Sequence, residues 1–329
     1  MTTFTRRAFT RSLVLTAGAA LSSRSFAQAS DWPSRPVSVI MPLQAGSASD
    51  AALRIVLERM SENAGIRFAV ENVTGAAGMI GAGRAAAAEP DGYTLAALNN
   101  SILTILPNVQ KRKIGFDPFE SFVPISGLAT IPTFLAVHKD VPVRTVPELL
   151  ALLKAKEGEI NYASGGGGSP QHLATEMFMA MTGSKMTQVS YRGATAAATD
   201  LAGGHVQVMF IAYSLALPLL PSGTIRLIGF AGPERHAAFP DLPTVAEQGV
   251  AGYDYSSWIA LFAPKGTPDP IVTRLRLDAA KALAEASIRE RLVNAGLALW
   301  DKSPAELEQA MRDDNERWKA VVKQANITI

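Results

Sequence analysis

The sequence predicts an α/β protein of two domains, each built on a mostly parallel sheet flanked by helices. Three observations point there. Strand-like and helix-like stretches alternate from residue 36 to residue 100. The alternation restarts after Val137 with an apolar pattern of its own. The chain then closes on helices that have no sheet of their own.

In the first domain, residues 36–42 (PVSVIMP) are a β-branched run that reads as a strand. Residues 49–65 follow as a helix, with Leu53, Val56, Leu57 and Met60 at helical spacing and Ser49 able to cap the start. RFAVENVTG gives the next strand. GAAGMIGAGRAAAAEPDG gives a small-residue helix stopped by a Pro-Asp-Gly turn, and YTLAALNN gives a third strand. The order β-α-β-α-β calls for crossover helices on the faces of a parallel sheet.

In the second domain, residues 146–160 read as a helix, NYASG as a strand and SPQHLATEMFMAMTG as a helix. KMTQVSYRG, HVQVMFIAYS and TIRLIGFAG are strands, and ATAAATDLAGG is a helix after the first of them. After Trp258 come the strand IALFAPKG and the helix DPIVTRLRLDAAKALAEA. The last helix, SPAELEQAMRDDNERWKAVVKQA, carries Leu307, Met311, Trp318 and Val322 on one face. These tail helices are expected to pack back on the first domain, so that the chain crosses twice. Residues 30–131 and 262–329 then form lobe 1, and 132–261 form lobe 2.

The first 29 residues read as a secretory signal: a basic start, an apolar run from Leu13 to Leu21 and a small-residue site at Ala27-Gln28-Ala29. The run is too short to span a bilayer permanently. Arg6-Arg7 before Ala8-Phe9 resembles a Tat signal, with Sec export as the alternative. Cleavage after Ala29 would remove four arginines and no acid, so the formal charge moves from +2 to −2. The basic balance of the whole chain therefore gives no reason to expect a nucleic-acid or membrane-surface partner. The chain has no cysteine, hence no disulfide, thiolate chemistry or lipidated cysteine. A protein free in the periplasm is the expectation.

The motif that asks for a function is YASGGGGSPQHLATEMF, residues 162–178. Four glycines stand between a strand and a helix. It is not a phosphate-binding P-loop, because no Gly-Lys-Ser/Thr follows. It is not a nucleophile elbow, because Gly167-Gly168-Ser169-Pro170-Gln171 lacks the last glycine of G-x-S-x-G. A tight strand-to-helix turn is the plain alternative. The sharper reading is an anion cradle of free helix N-terminal N–H groups around Gly168–His172, with Ser169 as cap. The loop PLQAGSASD, residues 42–50, has the same design around Gly46, and the two loops could meet across a cleft. GAAGMIGAG reads as close helix packing rather than as a dinucleotide fingerprint, since the first G-x-G is out of register. His172 and Glu176 sit one helical turn apart without a third ligand, so no metal is expected. No Ser, His and acid assemble into a catalytic set. No cofactor is called for.

The stretches VENVTGAAGMIGAGRAAAAEPDGYTL, FDPFESFVPIS, INYASGGGGSPQHLATEMF, VSYRGATAAATDLAGGHVQVMF, FPDLPTVAEQG, LFAPKGTP and ERWKAVVKQANI resemble the Bug family. These are TctC-like substrate-binding proteins of tripartite tricarboxylate transporters. The resemblance covers nearly all of the chain beyond the signal. It implies a type II periplasmic binding protein, α/β in class, with two lobes, a hinge and a ligand cleft between them. It implies a small organic carboxylate as ligand, a monomer, and membrane permease subunits as partner. An extracytoplasmic sensing role and a periplasmic hydrolase using Ser169 or Ser47 are the rival classes.

The resemblance also indicates the ligand-binding set. It comprises Leu43, Ala45, Gly46, Ser47, Ser49 and Asp50 on the first loop, and Asn100 and Ser101 after the third strand. In the second domain it comprises Ser164, Gly167, Gly168, Ser169, His172, Tyr191 and Ile211. The chain departs from the family pattern at several places. The first loop is commonly PFPAGGPTD and here reads PLQAGSASD; the loop after the third strand reads NNSILTILP; Ile211 stands where amino-acid-binding members carry an acid. Leu43, Leu103 and Ile211 are therefore expected to face the cleft and to favour an apolar ligand body over an amino group.

Overall fold

The VSVIM segment has the β-branched, mostly apolar character of a strand covered on both faces, and it forms β1 (Val37–Met41), between β3 and the edge strand β2 of a six-stranded sheet. The structure, a computed structural model, describes residues 32–109 and 114–325. The expected signal, residues 1–29, lies outside the described residues. Helix α1 (Ala48–Ala64) follows β1. Its N-cap is Ser47 rather than Ser49, with extended backbone and an Oγ that accepts from Asp50 N at 3.3 Å. It ends at Gly65, in the left-handed region, whose N–H donates to Ser61 O. Leu53, Val56 and Met60 on its inner face are fully buried, each worth about 2 kcal/mol of burial.

Strand β2 (Phe68–Asn72) pairs parallel with β1. A 3-10 turn, Ala76–Gly78, leads into α2 (Met79–Ala86). The small-residue character of α2 has a packing cause. A Cβ on Gly81 would overlap the Val73 carbonyl and come within 3.1 Å of Pro42 Cα. Gly81→Ala should therefore cost about 2 kcal/mol through overpacking, seen as a lower midpoint in chemical denaturation. An unchanged midpoint would mean that α2 is free to slide.

Strand β3 (Thr94–Asn99) is parallel to β1. Then β4 (Phe122–Thr130) runs out of the first lobe, and β5 (Thr133–His138) enters the second after only Ile131 and Pro132. The second lobe holds α3 (Val146–Ala155), β6 (Asn161–Ser164), α4 (Pro170–Thr182), β7 (Thr187–Ser190), α5 (Ala194–Ala202), β8 (Val208–Ala212) and β9 (Ile225–Phe230). Strand β10 (Trp258–Pro264) returns to the first sheet, followed by α6 (Asp269–Leu283), α7 (Ala286–Asn294), β11 (Ala298–Leu299) and α8 (Pro304–Ala325). The return therefore precedes Trp258, ahead of the expected boundary at residue 262.

The strand orders are β11-β4-β10-β3-β1-β2 and β7-β6-β8-β5-β9. In each sheet one strand that has just crossed from the other lobe runs against its neighbours: β10 is antiparallel to β3 and β4, and β5 to β8 and β9. Successive residues of β1 face opposite sides. Val39 and Met41 pack with Leu53, Leu275 and Leu292 under α1, α6 and α7, whereas Ile40 packs with Leu98, Phe262 and Met311. In the second sheet, Phe210 packs with Phe178 and Tyr162, and Ile211 with Phe134 and Leu201.

The last helix departs from expectation. Its first half, Leu307 and Met311, packs on the first lobe, but Trp318 lies in the second lobe's core with Phe178, Tyr253 and Tyr255. Arg317 bonds the Asp254 carboxylate at 2.9 Å, just before β10. Helix α8 thus straps both lobes instead of only the first. Among the described residues no helix is long and apolar enough to cross a membrane.

Candidate ligand-binding site

The carboxyl ends of the parallel strands in both lobes face one cavity of about 530 Å³. Its wall is made by the starts of three helices, α1, α4 and α5, and by the turn at Thr74–Gly78. Ile131, Thr133 and Ser257, next to the two chain crossings, form its floor with Ala212 and Leu215.

The first loop is held by a buried carboxylate. Asp50 Oδ2 accepts from Gly46 N and Arg54 Nε, both at 2.9 Å, and Oδ1 accepts from Asn72 Nδ2 at 2.9 Å. The Asn72 amide also donates to Leu43 O. Burial pushes the Asp50 carboxyl up, but these hydrogen bonds and the Arg54 charge outweigh it, so it is held below its ordinary value. Asp50 and Gly46 therefore shape the loop, while Leu43, Ser47 and Ser49 line the cavity. The N–H groups of Ala48 and Ser49 have no partner among the described residues. A carboxyl with a lowered folded pKa contributes stability above the unfolded pKa and loses it as pH falls through the folded value. Asp50→Asn should accordingly flatten the acid limb of a melting-temperature-against-pH curve, at a cost near neutrality of about 2 kcal/mol. Parallel acid limbs in the two proteins would contradict this role.

The four glycines of the loop are not there for one reason. Gly165 lies so close to the start of α5 that a Cβ there would meet Ala194 N at 3.0 Å and Gln171 Oε1 at 3.1 Å. Gly166 and Gly168 have φ of 112° and 77°, which disfavour side chains. Gly167 alone has neither constraint: nothing lies within 4 Å of its would-be Cβ, and it opens onto the cavity. Ser169 is the N-cap of α4, with its Oγ accepting from His172 N at 3.4 Å. The expected free N–H at Gly168 is not free. It donates to His172 Nδ1 at 2.8 Å, and His172 Nε2 faces Glu176 Oε1 at 3.4 Å. The hydrogen bond from His172 lowers the Glu176 carboxyl against its burial, and Tyr162 donates to the same oxygen at 2.9 Å. His172 therefore supports the loop from behind. The unpartnered N–H groups here, among the described residues, are those of Gly165, Gly167 and Gln171.

The third helix start was not among the sequence expectations. Helix α5 begins after Arg192-Gly193, and Arg192, Gly193 and Ala194 all line the cavity. The N–H groups of Ala194, Thr195 and Ala196 have no partner among the described residues. Among the described residues Arg192 is the one charged side chain in the lining, and it makes no ion pair with any of them. Ala76 and Ala77 also line the cavity with φ of 46° and 56°, a strained turn for non-glycine residues.

The remaining expected residues stand elsewhere. Ala45 is exposed beside the cavity. Asn100 is buried behind the wall, accepting from Ser257 Oγ at 3.2 Å and donating to Ser256 O at 2.8 Å. Ser101 meets Tyr255 Oη at 3.2 Å. Ser164 accepts from Gly166 N and Gln188 Nε2. Tyr191 donates to Asp200 at 2.7 Å, and burial together with that carboxylate pushes its hydroxyl up to about 12. Leu103 and Ile211 do not face the cleft: both are fully buried in lobe cores, and the neighbour of Ile211 on β8, Ala212, is the one that lines the cavity. Among the described residues no three His, Cys, Asp or Glu side chains gather as a metal site.

Known proteins share this architecture. The structure of R. palustris Rpa4515 with adipate is 34% identical, with a TM-score of 0.85, over 91% of this chain and 99% of that one. MatC (Rpa3494) from Rhodopseudomonas palustris with bound malate is 29% identical, with a TM-score of 0.83, over 88% and 100%. BugT of Bordetella pertussis is 29% identical over 301 residues, 90% of this chain and 91% of that protein. Residues 52–327 match the family described as Tripartite tricarboxylate transporter family receptor. With the fold, the cleft and the match in agreement over nearly all the described residues, the chain belongs to that receptor family, the one that includes the Bug proteins.

Proposed function

We propose that this chain is a periplasmic binding protein that captures a small organic carboxylate between its lobes and delivers it to a tripartite tricarboxylate-type permease. The observation that carries this reading is the convergence of three helix N-termini on one interlobe cavity whose only charged lining residue, among the described residues, is Arg192. Helix N-terminal N–H groups favour an anion, and a cation at one end favours a second one. Residues 32–131 and 258–325 act as one lobe and 132–257 as the other, with α8 and the two crossings as the hinge. Leu43, Ile131, Ala212 and Leu215 offer an apolar surface, so the favoured ligand carries one or two carboxylates on a mostly hydrocarbon body. The adipate-bound relative supports that class by similarity.

The cycle is binding without chemistry. Among the described residues the lining serines have no free base: both His172 nitrogens are engaged, and Ser169 Oγ accepts as a cap. A thermal-shift series with adipate, malate, benzoate and glutamate tests the reading. Adipate at a hundred times its dissociation constant should add about 2.7 kcal/mol of stability, and should be recovered unchanged. A shift with glutamate alone, or turnover of any acid, would overturn it.

A further inference from the structure

The first loop carries Gln44, whose side chain lines the cavity and reaches the opposite lobe. There it lies on the bare backbone of Gly193. A Cβ at residue 193 would overlap the Gln44 carboxamide and come within 3.0 Å of its Cγ. Gly193 is the N-cap of α5 and supplies no side-chain cap of its own. The carboxamide therefore fills the volume in which a capping Ser or Asp at residue 193 would place its side chain. The backbone of Gly193 does not need a glycine: its φ of 173° is extended and open to any residue. What requires glycine there is the side chain from the other lobe. One neighbouring contact spans the same gap, Thr195 Oγ1 donating to Gly46 O at 3.5 Å.

We propose that Gln44 is the closure residue of this chain, seating its carboxamide on the bare start of helix α5 when the lobes meet, in a notch that exists because residue 193 is glycine. Resting on the two-lobe binding reading above, this makes the pair Gln44–Gly193 a positioning element. Closing aligns the α5 start, with Arg192 beside it, against the first loop. Opening withdraws the carboxamide and releases both.

Two measurements without any ligand test this. Gln44→Cys combined with Gly193→Cys should form an intramolecular disulfide on mild oxidation, because one further bond from Cγ brings the two Cβ atoms to about 4.5 Å or less, within bridging range. The chain has no other cysteine to compete. Persistent free thiols would overturn the proposal. Spin labels placed through Arg289→Cys and Lys154→Cys, exposed helix positions on the two lobes, then report the closed fraction by dipolar distance. Gly193→Ala should lower the closed fraction at least fivefold in the presence of Gln44 and leave it unchanged in a Gln44→Ala background. An equal effect in both backgrounds, no effect in either, or no closed component in the parent would each overturn it. Adipate titration of the unlabelled parent is read separately, so failure of the carboxylate reading is not confused with failure of the closure residue.

Discussion

Arg192→Glu should cut adipate affinity about a thousandfold, roughly 4 kcal/mol, while leaving the melting temperature of the ligand-free protein within a degree or two. Arg192 is exposed, lines the cleft and makes no ion pair among the described residues, so the ligand-free fold should not depend on it. Its loss alone removes a counter-charge; the glutamate adds a repulsive one beside the α5 start. The effect should weaken with added salt, because the side chain is solvent-facing. Calorimetric titration at two ionic strengths checks both points. Affinity within threefold of the parent would show that the ligand's charge is carried elsewhere.

Gly167→Val is the second large effect. The position tolerates a side chain conformationally, and no protein atom stands within 4 Å of the would-be Cβ, so the variant should fold with near-parent stability. The branched side chain would nevertheless enter the cavity between the α4 and α5 starts and keep a carboxylate away from the N–H groups of Gly167 and Gln171. Binding should fall below detection, more than a thousandfold, as the cradle loses its approach path. Gly168→Val is the instructive contrast. With φ of 77° and its N–H bonded to His172, that change strains the loop and lowers stability by about 1–2 kcal/mol, so any binding loss there is indirect. Equal affinities for parent and Gly167→Val would remove the second loop from the site.

Much of the fold was legible because it is local. Helical spacing at Leu53, Val56, Leu57 and Met60, and β-branched runs such as VSVIM, specify elements wherever they sit. The reversed strands β5 and β10 were not legible, because TFLAVH and WIALFAP are buried on every residue and carry no alternation or direction. Nor was the strap: Leu307, Met311 and Trp318 mark one apolar face of α8, but nothing in that spacing says that the partner changes from one lobe to the other midway.

The site divides the same way. Two helix starts announce themselves with Gly followed by a capping Ser, at Gly46-Ser47 and Gly168-Ser169. The third does not, because Gly193 supplies no capping side chain; the signal available was Arg192-Gly193 directly before the helical run ATAAATDLA. Family position placed Ile211 near the cleft, yet strand period decides which side chain enters it, and Ala212 is on the correct face.

If three helix N-termini and Arg192 recognise a carboxylate by its charge, a neutral isostere should not replace it. Calorimetric titration of the parent protein with adipate and with its neutral diamide, adipamide, tests it most directly, since the two share length and hydrocarbon body. Adipate should bind and the diamide should be at least about a hundredfold weaker, the loss of charge-assisted hydrogen bonds at both ends. Equal affinity for the two, or binding of the diamide alone, would mean that the site does not read charge.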